Sequence, residues 1–256
     1  MSAAPSRHTV PAERRQRILR AVRAGSTHVA DLALSFGVSE MTVRRDLRAL
    51  AREGKLERVR GGAVTVGAEP PFDVTAVERY EGKDRIGAAA AALVEDGQTV
   101  MIDIGTTTLQ AAHHLHGRRI TVITSSLAVY EELVPDPAIE LVLPGGVVRR
   151  NYRSLVGVLA EDSLRQLQAD VLFLGTSAVD AGLGVWDTTM VEVPIKRAMI
   201  AASQSVTLLA DTEKFDLAGL VRVCDAEAID RIVTDAPVPG ACTPAIERHG
   251  IEVIQA

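Results

Sequence analysis

The segment Asp103-Ile104-Gly105-Thr106-Thr107-Thr108 puts a carboxylate, a glycine and three consecutive hydroxyls where an apolar, strand-like run gives way to a helix-like one. Glycine lets a backbone approach a ligand closely. Hydroxyls and the unpaired N–H groups of a helix start together make a donor set for phosphate. Three more turns of this kind follow: Thr124-Ser125-Ser126, Pro144-Gly145-Gly146 with Arg149 and Arg150 beyond it, and Ala210-Asp211-Thr212-Glu213-Lys214-Phe215. Thr-rich turns often serve only as helix caps, and a single Lys is usually a solvated charge, so each turn alone is weak. Four such turns after four strand-like runs carry more weight.

The elements that must hold these turns are legible in outline. Strands are predicted at Thr99–Ile104, Ile120–Thr124, Ile139–Leu143, Val171–Gly175, Val206–Ala210 and Arg231–Thr234. Helices are predicted at Arg85–Val94, Thr107–Leu115, Ser126–Leu133, Ala160–Gln168 and Val191–Ala202. Near-continuous apolar strands alternating with helices specify a mostly parallel α/β sheet covered on both faces. Such sheets bind ligands beyond their C-terminal strand ends, where the four turns fall. After Pro237, Pro239 and Gly240, a short helix at Pro244–His249 and a strand at Ile251–Ile254 would complete the sheet edge.

The N-terminal quarter carries a different chemistry. Residues 1–66 hold 13 Lys and Arg against 6 Asp and Glu, a net of +7, whereas the remainder of the chain is at −12. A basic segment joined to an acidic one suggests nucleic-acid binding by the first. Helix spacing runs from Pro11 to Gly25, with Ile18, Leu19 and Val22 apolar and Arg14, Arg15, Arg17, Arg20 and Arg23 charged. A second helix spans about His28–Phe36, Gly37 makes the turn, Ser39 is a good N-cap, and a third helix runs from about Glu40 to Arg52, ended by Gly54.

At 100° per residue, Leu47 and Leu50 fall within about 40° of Val43, while Met41, Arg45, Arg48 and Arg52 fall at about 140–200° and Arg44 at about 100°. One face is core and the other is arginine, as a helix in a DNA major groove requires. Ser39, Met41, Thr42, Arg44 and Arg45, near the helix start, are the expected base readers, with Arg48 beside them. Arg58 and Arg60 lie in Lys55–Arg60, a weakly alternating run ending at Gly61-Gly62, which suits a β-wing on the DNA backbone. Between the two halves, residues 67–83 contain Pro70-Pro71 and little periodicity and read as a linker, although Phe72, Val74 and Tyr80 are apolar enough to pack.

Composition limits the alternatives. In 256 residues, 47% are hydrophobic and 24% charged, enough for a real core and too balanced for a disordered chain. No run approaches the ~20 apolar residues of a membrane span, and the first residues lack the apolar core of a secretory signal. Cys224 and Cys242 stand far apart, without metal-ligand spacing. The cluster His113, His114 and His116 reads as a solvated helix end. The expectation is a cytoplasmic protein without metal or cofactor.

The stretch from Ser35 to Val64, with V-S-x-M-T-V-R-R-D-L and R-x-x-G-G-A, resembles the winged helix-turn-helix of the DeoR family of bacterial transcriptional regulators. IDIGTTT, ITSS, LPGG, SLVG, EVPIKRAMI and LADTEKF resemble the sensor half of the same family, which is similar to ribose-5-phosphate isomerase and CoA-transferase folds. The resemblance implies a winged helix-turn-helix at residues 1–66, a linker at 67–83 and an α/β sensor at 84–256. It implies a repressor of sugar or carbohydrate genes, acting as a dimer or tetramer on double-stranded operator DNA and answering to a phosphorylated sugar.

By analogy with the isomerases, Gly105, Thr106, Thr107, Thr108 and Lys214 would hold the phosphate, and Asp103, Ser125, Gly145 and Lys196 would line the sugar side. Glu192 is expected either at the ligand or paired with Lys196 four residues on. One departure stands out: Thr176-Ser177-Ala178 replaces the usual small-acidic-glycine pattern, with Asp180 and Gly182 retained. An isomerase would need a carboxylate base, with Asp103, Asp180 and Glu192 as the candidates. A third reading is a DNA binder whose α/β half only oligomerises.

Overall fold

The computed structural model describes residues 11–23, 28–53, 55–59, 62–64, 72–215, 217 and 219–256. Gly25, Gly54, Arg60, Gly61 and Pro70-Pro71, named above, lie outside the described residues, as does the side chain of Arg58. The chain divides into two units, Met1–Thr75 and Ala76–Ala256.

In the first unit, α1 (Pro11–Arg23), α2 (Val29–Phe36) and α3 (Glu40–Arg52) precede an antiparallel hairpin of β1 (Glu57–Val59) and β2 (Gly62–Val64). Gly37 ends α2 at φ +62°, a left-handed conformation that glycine adopts without steric penalty. The Ser39 hydroxyl caps α3, accepting from the Thr42 N–H at 3.2 Å. Val43, Leu47 and Leu50 enter one core with Ile18, Val22, Leu32 and Leu56, as the helical spacing predicts.

Helix α4 (Phe72–Ala76) follows, and α5 (Tyr80–Ala91) opens the α/β unit. The expected linker is therefore helical over most of its second half. Phe72, Val74 and Lys83 are buried, so tertiary burial orders a segment whose own periodicity is too weak to announce a helix.

The sheet of the second unit has seven strands, β3 (Thr99–Ile102), β4 (Thr121–Thr124), β5 (Glu140–Val142), β8 (Ala169–Gly175), β11 (Ser203–Leu209), β13 (Arg231–Thr234) and β14 (Glu252–Gln255). Their order is β14-β13-β11-β8-β3-β4-β5, and every pairing is parallel. Successive residues of β8 enter opposite cores, which is why its sequence is continuously apolar. Val171 and Phe173 pack with Ile86 and Ala90 of α5, Ala111 of α6 (Thr106–His113) and Leu133 of α7 (Leu127–Leu133). Leu172 and Leu174 pack with Leu164 of α8 (Val158–Leu164) and Ile195 and Met199 of α9 (Val193–Ala201). The tail forms α10 (Thr243–His249) and β14, the edge strand expected there.

Two small sheets escaped the sequence reading: the hairpin of β6 (Val147–Arg149) with β7 (Ser154–Val156), and the sheet of β9 (Ala178–Val179), β10 (Val185–Asp187) and β12 (Val221–Cys224). Their strands are two to four residues long, too short for a period to show. They leave the chain after the C-terminal ends of β5, β8 and β11.

Strand order reverses in the middle of the sheet. From β3 it proceeds to β4 on one side, and from β8 to β11 on the other, with α6 and α9 on opposite faces. The β3/β8 boundary is thus a topological switch point, and in sheets of this kind the ligand crevice lies at the C-terminal end of that boundary. Helix α5 stays close to this region because Gly87 lets it lie against α6. A Cβ there would stand 2.5 Å from the Gln110 carbonyl carbon. Helix propensity alone favours Ala over Gly by about 1 kcal/mol, but the obstacle is backbone. Gly87→Ala is expected to lose on the order of 1–3 kcal/mol, read as a lower midpoint in thermal or urea unfolding. An unchanged or raised midpoint would contradict the close crossing.

Candidate functional site

The first unit offers a basic face. On α3, Met41, Arg44, Arg45, Arg48 and Arg52 are exposed, opposite the buried Val43, Leu47 and Leu50. Ser39, Met41, Thr42, Arg44, Arg45 and Arg48 line one concavity of about 660 Å³. Arg44 pairs with Glu40 one turn back at 2.9 Å. The side chains of Arg45 and Arg48 have no partner among the described residues. Arg58 lies on β1, its backbone paired with that of Ala63.

Arg14 of α1 is buried, in an ion pair with Asp46 at 2.6 Å. Asp46 sits close to the core side of α3, so this pair ties α1 to α3 and leaves the exposed arginines on the opposite side.

In the second unit, the switch-point crevice is organised by Asp103, one residue past β3. Its side chain is fully buried. Oδ2 accepts from the Gly175 N–H at 3.0 Å, at the end of β8, and from the Lys196 ammonium on α9. Lys196 also donates to the Gly175 carbonyl at 3.0 Å and lies 3.8 Å from Asp187. Gly175 must be glycine, because a Cβ would stand 2.8 Å from the Ile104 carbonyl oxygen. Burial pushes the Asp103 carboxyl up to about 6, and the Lys196 charge restrains the rise. Burial works against the Lys196 ammonium, but Asp103, Asp187 and Glu192 outweigh it and hold the amine above its ordinary range. Both groups are therefore charged at neutral pH.

The other predicted ligand residues follow the C-terminal ends of β3, β4, β5 and β11. Gly105 turns at φ +145° and starts α6, where Thr106, Thr107 and Thr108 are all buried. Thr108 donates to the Asp103 carbonyl at 2.8 Å, so its hydroxyl serves the turn. The Thr106 and Thr107 hydroxyls have no partner among the described residues. Past β4, Thr124 and Ser126 are likewise engaged, donating to Ile102 and capping α7. Ser125 is fully buried with its Oγ unpartnered.

Gly145 is exposed, and a Cβ there would meet nothing within 4 Å. The sterically required glycine is its neighbour Gly146, where a Cβ would lie 2.9 Å from the Val156 carbonyl. Glu192 does not ion-pair with Lys196 through the expected helical step. It accepts from Arg149 at 2.9 Å and from Ser154 at 2.7 Å. Asp180 organises the β9–β10 turn, accepting from Gly182, Gly184 and the Trp186 indole. In the departing segment, the Thr176 hydroxyl donates to the Ala178 carbonyl at 2.8 Å.

Lys214 lies half-buried after β11, the strand next to β8, in a turn capped by Asp211. Beside it stands a cation that the sequence reading left in the linker. Lys83 on α5 is buried, and burial, with Lys214 adding repulsion and Asp211 opposing it, lowers its ammonium to about 8. Nothing in its sequence context distinguishes it; the signal is burial. Near the same strand ends, Arg79 binds Asp235 at 2.5 Å and Glu213 at 2.7 Å. The three histidines are engaged by carboxylates, His113 and His116 by Glu132 and His114 by Asp84. Among the described residues no group of His, Cys, Asp and Glu has metal-binding geometry, and no helix is long and apolar enough to cross a membrane.

The raised Asp103 carboxyl has a pH signature. The folded state holds this proton more tightly than the unfolded chain. Its contribution to stability is therefore full below the ordinary value of 3.8 and lost as pH rises through about 6. A carbon-13 titration of Asp103 is expected to show a midpoint near 6. A midpoint at or below 3.8 would contradict the burial-dominated site.

Comparison with known proteins bears on both units. Residues 14–68 match the DeoR-like helix-turn-helix domain, and residues 78–236 match the DeoR C-terminal sensor domain. The chain is 32% identical to a putative aga operon transcriptional repressor of Escherichia coli O157:H7, over 97% of this chain and 95% of that one. It is 34% identical to the HTH-type transcriptional regulator GlpR of Haloferax volcanii, over 96% and 98%. Among solved structures, the ribose 5-phosphate isomerase A of Methanocaldococcus jannaschii aligns with 54% of this chain and 55% of that one, at 15% identity and a TM-score of 0.41. With a helix-turn-helix at one end and a sensor sheet at the other, both matched along their length, this chain belongs to the DeoR family of transcriptional regulators.

Proposed function

We propose that this protein is a repressor of carbohydrate genes whose grip on its operator is set by a phosphorylated sugar bound at the β3/β8 crevice. The observation that carries the reading is that, among the described residues, the side chains of Arg45 and Arg48 in one unit and of Thr106 and Thr107 in the other have no partner. On α3, Arg45 and Arg48 are exposed without partners, suited to guanine edges and phosphates, with Ser39, Met41, Thr42 and Arg44 around them. Arg58 and Arg60 of the wing would follow the DNA backbone. In the sensor, the Thr106 and Thr107 hydroxyls at the start of α6, with Gly105, suit a phosphate. Lys214 and the buried Lys83 would supply its counter-charge. Asp103, Ser125 and Lys196 would face the sugar, and the exposed Gly145 would lie at the rim. The likeness to a putative aga operon transcriptional repressor supports the repressor reading.

The effector acts by preferring one of two conformations that differ in DNA affinity. Fluorescence anisotropy of DNA from upstream of the gene, with competitor DNA and added sugar phosphates, tests this. Specific binding that one sugar phosphate changes is expected. Arg45→Ala should cost about 1–3 kcal/mol of specific binding. Lys214→Ala should keep DNA binding and lose the response. Absence of sequence preference, or loss of both functions in Lys214→Ala, would contradict the reading.

Operators of two half-sites need two recognition helices, so we further propose a homodimer or homotetramer. Light scattering is expected to give at least twice the 27.3 kDa of one chain. A monomer at the concentrations that bind DNA would overturn this.

A further inference from the structure

At the sugar end of the proposed site the polar atoms left without partners among the described residues are two carboxylate oxygens and one hydroxyl, and this restricts the ligand beyond its being a sugar phosphate. Around Lys196 lie three buried carboxylates, Asp103, Asp187 and Glu192, against two cations, Lys196 and Arg149. The cluster is one negative charge in excess. Its members are held in place from several elements: Gly175 of β8 holds Asp103, Ser154 of β7 and Arg149 of β6 hold Glu192, and Lys196 and Glu192 stand one helical turn apart at the start of α9. Yet, among the described residues, Asp103 Oδ1 and Glu192 Oε2 have no hydrogen-bond partner, although the two residues are 0% and 1% exposed. Ser125 Oγ, fully buried beside β7 through the Leu155 N–H to Ser125 carbonyl bond of 2.8 Å, is unpartnered too.

An ionised carboxylate can only accept. A buried acceptor without a donor is costly, and more so when charged. A ligand that donates here repays that cost. A ligand that brings its own carboxylate to this end offers no donor there and adds a second excess negative charge.

Resting on the reading of this crevice as the effector site, we propose that the sensor selects phosphate esters whose far end presents hydrogen-bond donors, hydroxyl or amino, and rejects phosphorylated sugar acids. Asp103 and Glu192 set this choice, while the phosphate end is common to both classes.

The test is thermal unfolding and calorimetric titration of the full-length protein with matched pairs. These are erythritol 4-phosphate against 4-phosphoerythronate, ribitol 5-phosphate against 5-phosphoribonate, and sorbitol 6-phosphate against 6-phosphogluconate. Glucosamine 6-phosphate is the amino arm and inorganic phosphate the reference. At least one donor-ended ester is expected to stabilise the protein more than inorganic phosphate does, and to bind at least about tenfold more tightly than its acid partner.

Glu192→Gln, which replaces one acceptor oxygen by an N–H donor, is expected to narrow that ratio several-fold. Asp103→Asn serves as the second variant if the first does not fold. An acid that binds as tightly as its partner, or donor-ended esters that do no better than inorganic phosphate, overturns the proposal. If unphosphorylated erythritol, ribitol or sorbitol binds as well as its ester while phosphate has no effect, the phosphate reading fails and the donor preference stands.

Discussion

The sensor depends on one buried ion pair, Asp103 with Lys196, at the point where the strand order reverses in the parallel sheet. Each partner comes from a different side of that point, Asp103 from the end of β3 and Lys196 from the helix that connects β8 to β11. Both also bind Gly175, through its N–H and its carbonyl, so the ends of β3, β8 and α9 meet on one residue. A charge pair this deep costs desolvation and is weak evidence of stability by itself. Its value here is positional. It holds one carboxylate oxygen fixed and, among the described residues, leaves the other without a partner, next to a turn where the Thr106 and Thr107 hydroxyls are also unengaged. Polar groups left unpaired in a dry interior are what a ligand can satisfy.

The first unit solves a simpler problem with the same economy. Helix α3 has to be apolar on one side and cationic on the other, and a stripe of Val43, Leu47 and Leu50 achieves the first. The Arg14–Asp46 pair adds a charged contact to the core side. Only the outward arginines then remain for DNA. Regulation requires that sensor occupancy alter how these helices are presented, and a ligand with equal affinity for both states would change nothing.

Much of the fold was legible because its signals are long-range averages. Six apolar runs separated by helical ones specify a doubly covered parallel sheet, and each of the six became a strand of it. The turn, the N-cap Ser39 and the two faces of α3 follow from spacing alone. What was not legible depends on tertiary partners. The helix at Phe72–Ala76 and the first turn of Tyr80–Ala91 form in a stretch that looks like a linker, ahead of the helix predicted from Arg85, because the burial of Phe72, Val74 and Lys83 is invisible in one dimension. Lys83 reads as a surface charge until α5 is placed beside the Lys214 turn. Arg14 reads only as a charge until Asp46 faces it. Glu192 sits four residues before Lys196, a spacing that suggests an ion pair, yet the hairpin bearing Arg149 and Ser154 claims its side chain.

Hydrogen–deuterium exchange of the full-length protein with and without saturating inorganic phosphate tests the central claim most directly, since it needs neither the operator nor the identity of the effector. The account predicts slowed exchange at residues 103–109 and in the Lys214 turn, with β1, β2 and α3 unaffected by phosphate in direct contact. Protection confined to other strand ends, or none at phosphate concentrations that stabilise the protein, would contradict a phosphate site at the β3/β8 crevice.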